Sequence, residues 1–201
     1  METMTLKSIF SRNCEPSPQL MAALEEAVTL RSVHKGEELV KQGEVCDSFI
    51  LNKSGFFRIG LTTGEVEDTL MFGTDGDVFT SAASYVNGRP SEFSLMALEE
   101  GEVWVFPFAK YRELSREYPE LVQWLCELAM EQIAAMEDKY ARFSDRSAEA
   151  RFRRFLDNPA FHVRHYAFKQ IAKVVPLKYI AQYLKVTPAT LSRLRRQVFK
   201  K

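Results

Sequence analysis

The richest chemistry in the chain lies between Leu177 and Arg196, which run Leu-Lys-Tyr-Ile-Ala-Gln-Tyr-Leu-Lys-Val-Thr-Pro-Ala-Thr-Leu-Ser-Arg-Leu-Arg-Arg. Ile180, Leu184, Val186, Leu191 and Leu194 are spaced to fill the gap between two short helices, and Ala181 is small enough to let them approach. Lys185, Val186 and Thr187 supply the turn. Thr187 is a good N-cap, and Pro188 falls at the first helical position, where a missing N–H costs nothing. This is a helix-turn-helix pattern. With Leu191, Leu194 and Val198 turned inward, Ala189, Ser192, Arg193 and Arg196 take the outer face of the second helix. An arginine there reaches guanine O6 and N7 with both arms, and a methyl group meets the thymine methyl. Ser192, Thr190 and Lys178 are better placed for phosphate oxygens. The first turn residue of such a motif adopts a left-handed backbone, so Lys185 in place of glycine should cost on the order of 1 kcal/mol.

The charge distribution supports that chemistry. The 201-residue chain is neutral, with 27 basic and 27 acidic side chains. Residues 1–145, however, hold 13 Lys and Arg against 25 Asp and Glu, whereas residues 146–201 hold 14 against 2. A short segment with that excess of cations repels itself unless an anion is near, and nucleic acid or an anionic membrane surface are the usual partners.

The elements that must position these residues fall into three regimes. A short amphipathic helical pattern covers about Leu20 to Leu30. From Val33 to Phe106 short apolar runs alternate with glycine-bearing breaks such as Lys35-Gly36, Ser54-Gly55, Thr63-Gly64 and Asn87-Gly88, the texture of a β-sandwich or small barrel. From Tyr118 to about Phe143 apolar residues recur at steps of three and four with no interruption after Pro119, which predicts a long helix. Its narrow stripe, with Leu121, Leu125, Leu128, Met136 and Tyr140, suits pairing with the same helix of a second subunit. Ser144–Ser147 then reads as a hinge, with Asp145 or Ser147 capping the next helix, which Asn158-Pro159 ends.

Several classes are excluded. Only His34 lies in the strand-rich region, so a cupin-like metal site lacks ligands, and His162 and His165 have no further ligands beside them. Cys14, Cys46 and Cys126 are too few for an iron–sulfur cluster held by four thiolates and read as reduced thiols. No nucleophile–base constellation or phosphate loop stands out, so an enzyme is not expected and no metal is called for. No apolar stretch approaches the ~18 residues of a membrane span, and the first residues lack the pattern of a signal peptide. A cytoplasmic protein without a membrane partner is expected.

Taken together, a glycine-punctuated roll, a long helix and a terminal helix-turn-helix resemble the catabolite-activator/fumarate-nitrate-regulator (Crp/Fnr) family of bacterial transcription regulators. The most specific pieces are Val175–Leu184 with Thr187–Arg193, and Lys35-Gly36-Glu37 with Gly43 and Gly55 resemble the family's opening strands. The resemblance implies an α+β fold: an antiparallel β-roll of the cyclic-nucleotide-binding type over 1–117, a dimerisation helix over 118–144, and a helix-turn-helix domain over 145–201. It also implies a homodimer on palindromic double-stranded DNA, control of RNA polymerase, and a small-molecule effector in the roll. Nucleotide-responsive members hold the cyclic phosphate with a Gly-Glu segment and, about ten residues on, an Arg followed by a hydroxyl residue, an arginine fork among backbone donors. The corresponding positions here are Gly76, Asp77, Arg89 and Ser91. Either Ser91-Glu92 takes the Arg-Ser place, and Glu92 repels phosphate, or Arg89 does, and Pro90 removes the adjoining donor. A cyclic nucleotide is thus disfavoured as effector or cofactor. The DNA-binding set expected is Lys178, Thr187, Pro188, Ala189, Thr190, Ser192, Arg193 and Arg196, with Lys200, Lys201 and Arg195 as phosphate anchors. The alternatives are a ligand-independent regulator, or an interaction module whose basic tail binds RNA or anionic lipid without sequence preference.

Overall fold

Thr5 and Ser17 stand just before the first two helices and accept hydrogen bonds from the backbone N–H groups of Ser8 and Leu20, so α1 (Leu6–Phe10) and α2 (Pro18–Ala27) both start on a side-chain cap. The computed structural model describes residues 4–143, 147–157 and 168–199. After α2 come β1 (Thr29–Val33), β2 (Glu38–Val40), β3 (Ser48–Ser54), β4 (Phe57–Thr63), β5 (Val66–Gly73) and β6 (Val78–Phe79). Then follow α3 (Ala82–Asn87), β7 (Ser94–Ala97), β8 (Gly101–Pro107), α4 (Phe108–Leu114) and the long α5 (Pro119–Phe143). The helices α6 (Ala148–Asp157), α7 (Phe168–Val174), α8 (Leu177–Tyr183) and α9 (Pro188–Phe199) form the head.

The strands make two four-stranded sheets, ordered β1-β8-β3-β6 and β2-β7-β4-β5, with every pairing antiparallel. Successive side chains of β3 point to opposite faces. Phe49 and Leu51 enter the core shared with α1, α2, α4 and α5, and Ile50 enters the core between the sheets with Phe57, Leu95 and Val103. Both faces of β3 are therefore covered, which explains its unbroken apolar run. Phe49 is the hub of the first core: its ring lies 5.0–5.8 Å from those of Phe108, Tyr111, Tyr85 and Trp124, edge-on to all but Tyr85.

The short helical pattern read to Leu30 ends at Ala27. Val28 turns extended (ψ 149°), and Thr29–Val33 pair with β8 from Thr29↔Val105 to Val33↔Gly101. Sheet pairing wins there over local periodicity. At the hinge Ser147 caps the next helix, accepting from Ala150 N–H at 3.0 Å; Ser144, Asp145, Asn158 and Pro159 lie outside the described residues.

In the head, α8 closes with both hydrogen bonds of a Schellman motif: Val186 N–H donates to Ala181 O and Lys185 N–H to Gln182 O. Lys185 occupies the left-handed position at φ +53°, where glycine is cheapest. Arg151 of α6 secures the same end, donating to the carbonyls of Leu184 and Lys185 at 2.9 and 3.3 Å. The core of the head does not stop at the head. Phe152, Phe155, Tyr179, Ile180 and Leu191 form one cluster with Phe56, Phe72 and Leu98 of the roll.

Phe49→Ala should lower the free energy of unfolding by about 3–5 kcal/mol, the cost of an aromatic-sized hole in a well-packed core, measured by denaturant titration.

Candidate nucleic-acid interface

Helix α9 begins where the sequence places it. Thr187 Oγ1 accepts from Thr190 N–H at 3.1 Å, and the Thr187 hydroxyl donates to that of Thr190 at 3.0 Å. Leu191 and Leu194 are buried, while Pro188, Ala189, Ser192, Arg193 and Arg196 are exposed on one side of the helix. Thr190 is half-buried and engaged with the cap, so its hydroxyl is less open than the sequence suggested. Lys178 is exposed near the start of α8, and its Nζ lies 3.9 Å from Glu67 Oε2 on β5. Arg195 is half-buried. Lys200, Lys201, His162 and His165 lie outside the described residues.

The assignments on α5 need correction. Leu121 (0% exposed) and Leu128 (7%) lie in the core of their own roll with Trp124, and Leu125 is packed against the same cluster. Leu121 and Leu128 are therefore not available to a partner. The helix carries two apolar faces, and steps of three and four alone do not separate them. The second face, offset from the first, exposes Val122, Met130, Ile133, Met136 and Tyr140, so Met136 and Tyr140 remain candidates for a dimer seam.

The four residues expected at an effector pocket do not converge. Gly76 and Asp77 line a small cleft between the loop after α1 and α5, with Ile9, Arg12, Asn13, Leu128, Glu131 and Gln132, and neither Arg89 nor Ser91 contributes to it. The cleft has about 10 Å³ of free space for a water-sized molecule, roughly the room of one water. Arg12 Nη1 donates to Gly76 O at 2.7 Å, and Gly76 sits at φ +85°, a backbone conformation that favours glycine. Asp77 Oδ2 accepts from Thr74 N–H at 2.7 Å inside its own turn. Arg89 is exposed, and the Ser91 hydroxyl is spent on Phe93 O at 2.8 Å. Among the described residues, no three His, Cys, Asp or Glu side chains gather as a metal site, and no helix is long and apolar enough to cross a membrane.

Sequence reasoning missed the polar junction between roll and head. Arg58 on β4 is only 3% exposed. Its Nε donates to Thr69 Oγ1 at 2.8 Å, its Nη1 to Glu67 Oε1 at 2.7 Å, and its Nη2 to Asp68 O at 3.0 Å and to Gln182 Oε1 of α8 at 3.4 Å. The Thr69 hydroxyl donates to the same Gln182 oxygen at 2.8 Å, and the Tyr179 ring lies 4.2 Å from Arg58 Cζ, a cation–π contact. Gly60, two residues along β4, makes the space: a Cβ there would stand 2.8 Å from Arg58 Nη1. Alongside, Lys185 Nζ pairs with Asp68 Oδ2 at 2.6 Å. Burial holds the nearby Lys139 ammonium below its ordinary pKa, and the Lys185 charge adds to that effect while Asp68 opposes it. The one signal in the sequence was Arg58 itself, a charge inside an otherwise apolar strand.

Comparison with known proteins agrees with this architecture. The cyclic nucleotide-binding domain family matches residues 30–118. Electron transport regulator A of Shewanella oneidensis is 27% identical over 193 residues, covering 94% of this chain and 75% of that protein. The fumarate and nitrate reduction regulatory protein of Vibrio cholerae is 27% identical over 167 residues, covering 82% and 66%. Among solved structures, FixK2 from Bradyrhizobium japonicum shares the fold with a TM-score of 0.71 at 19% identity, covering 86% of this chain and 85% of that one. These relatives are regulators and not enzymes. With the matched roll ahead of a long helix and a helix-turn-helix behind it, the chain is similar in sequence and fold to the Crp/Fnr family of transcription regulators.

Proposed function

We propose that this regulator acts as a homodimer that reads a palindromic operator in double-stranded DNA. The observation that carries the reading is the exposed face of α9, with Ala189, Ser192, Arg193 and Arg196 side by side on a capped helix inside a strongly basic segment. Arg193 reads a guanine, the Ala189 methyl meets a thymine, and Ser192, Lys178 and the first turn of α9 anchor to phosphates. The exposed apolar face of α5 supplies the dimer seam, and two heads related by a two-fold axis engage half-sites about one DNA turn apart. RNA polymerase is the downstream partner that this role requires. The effector is a small molecule other than a standard cyclic nucleotide. Support for that lies in the tiny cleft at Gly76 and Asp77 and in the diversion of Arg89 and Ser91 from it. Action on DNA implies a cytoplasmic location.

Selection of bound sites from a random duplex library at near-physiological salt should enrich an inverted repeat. Arg193→Ala should relax one base-pair position in each half-site at a cost of about 1–3 kcal/mol. Binding that enriches no motif and only collapses as salt rises would overturn sequence-specific reading in favour of an electrostatic anchor. Ile133→Glu with Met136→Glu should convert the dimer to a folded monomer in sedimentation analysis, since both side chains are exposed and neither supports the roll. Millimolar cyclic AMP or cyclic GMP should leave the unfolding temperature unchanged, whereas a ligand at 100 times its Kd would add about 2.7 kcal/mol.

A further inference from the structure

We propose that the β5 edge of the roll is an autoinhibitory contact, an acidic stand-in for DNA phosphates that engages the cations of the head. The inference rests on the reading of the head as a DNA-binding unit. Glu67 and Asp68 are neighbours on β5, and they face Lys178 near the start of α8 and Lys185 in the helix-turn-helix turn, at 3.9 and 2.6 Å. The first helix of such a motif crosses the DNA backbone, so cations at its two ends are suited to phosphates. In the docked head both already have a carboxylate partner. A duplex that uses them must displace Glu67 and Asp68, and it meets their negative charge at close range if it does not.

The four side chains are partly exposed, so these pairs contribute little to holding the head in place. Docking is held by the layer beneath. Phe72 packs on Tyr183 with ring centroids 5.6 Å apart, and Arg58, buried under Tyr179, is bonded through Thr69 to Gln182. Asp68 serves the acidic edge through its carboxylate, whereas Glu67 serves both layers, with Oε1 on Arg58 and Oε2 toward Lys178. The buried clasp fixes where the head sits, and the acidic edge sets what that position costs DNA.

The test uses the full chain and two probes, a random-sequence duplex and an operator duplex if selection yields one. Glu67→Gln with Asp68→Asn should tighten binding to the random duplex on the order of tenfold at low salt, and should steepen the logarithmic salt dependence by up to about two, as two cations return to phosphates. The selected sequence should not change. Gly60→Ala, which displaces the Arg58 guanidinium without altering any charge, should speed amide exchange along residues 69–73 in the absence of DNA and should also tighten duplex binding. Unchanged or weaker binding by a folded Glu67→Gln/Asp68→Asn chain overturns the proposal and makes the edge a support for reading instead. Tighter random-duplex binding with no selected motif upholds the acidic edge while rejecting sequence-specific reading.

Discussion

A guanidinium group keeps its proton in any surroundings a folded chain provides, so burying one commits every neighbour to it. Arg58 is such a group, and the arrangement around it follows from the need to satisfy its donors. An uncompensated charge at that depth costs several kcal/mol. Thr69, Glu67 and the Asp68 carbonyl supply partners from the roll, and Gly60 gives up its side chain to make room. The last partners, Gln182 and the Tyr179 face, come from α8. The roll is thus electrostatically complete only with the head seated on it, which ties the position of α9 to a residue near the start of β4.

The opposed charges of the two halves take on a second meaning in this light. The acidic roll and the basic head attract one another within one molecule, so part of the anionic partner implied by the basic segment is the chain's own β5. Lys185 shows how closely this is bound to local geometry. Glycine would sit more comfortably at its left-handed position, yet glycine has no ammonium group to meet Asp68. The strain of about 1 kcal/mol is accepted at the point where the turn touches the roll.

Features written in consecutive residues were legible in advance. The helix-turn-helix, its Thr187 cap, the left-handed Lys185 and the extent of α5 all follow from spacing, because the interactions that define them span only a few residues. Features made by distant contacts were not. Arg58 and Gln182 are 124 residues apart, and nothing in either neighbourhood names the other. The inward and outward stripes of α5 share one periodicity, so Leu121 and Leu128 were read as seam residues until the roll was seen to cover them. The start of β1 was read as helix because pairing with β8, which fixes it as strand, lies some 70 residues away. The resemblance of Gly76, Asp77, Arg89 and Ser91 to a phosphate cradle concerned residue type, whereas a cradle depends on where hydroxyls and N–H groups point.

One last consequence concerns the strand order. β5 ends its sheet, and α8 packs against it. An uncovered strand at that position offers unpaired backbone groups to any similar strand it meets, and Phe72 would stand bare beside them. The seated head covers Phe72 and packs on this terminal strand, so a chain that lost the head contact would expose an adhesive surface. The contact that positions α8 is thereby also a guard on solubility, because the same apolar surface cannot be both released and hidden.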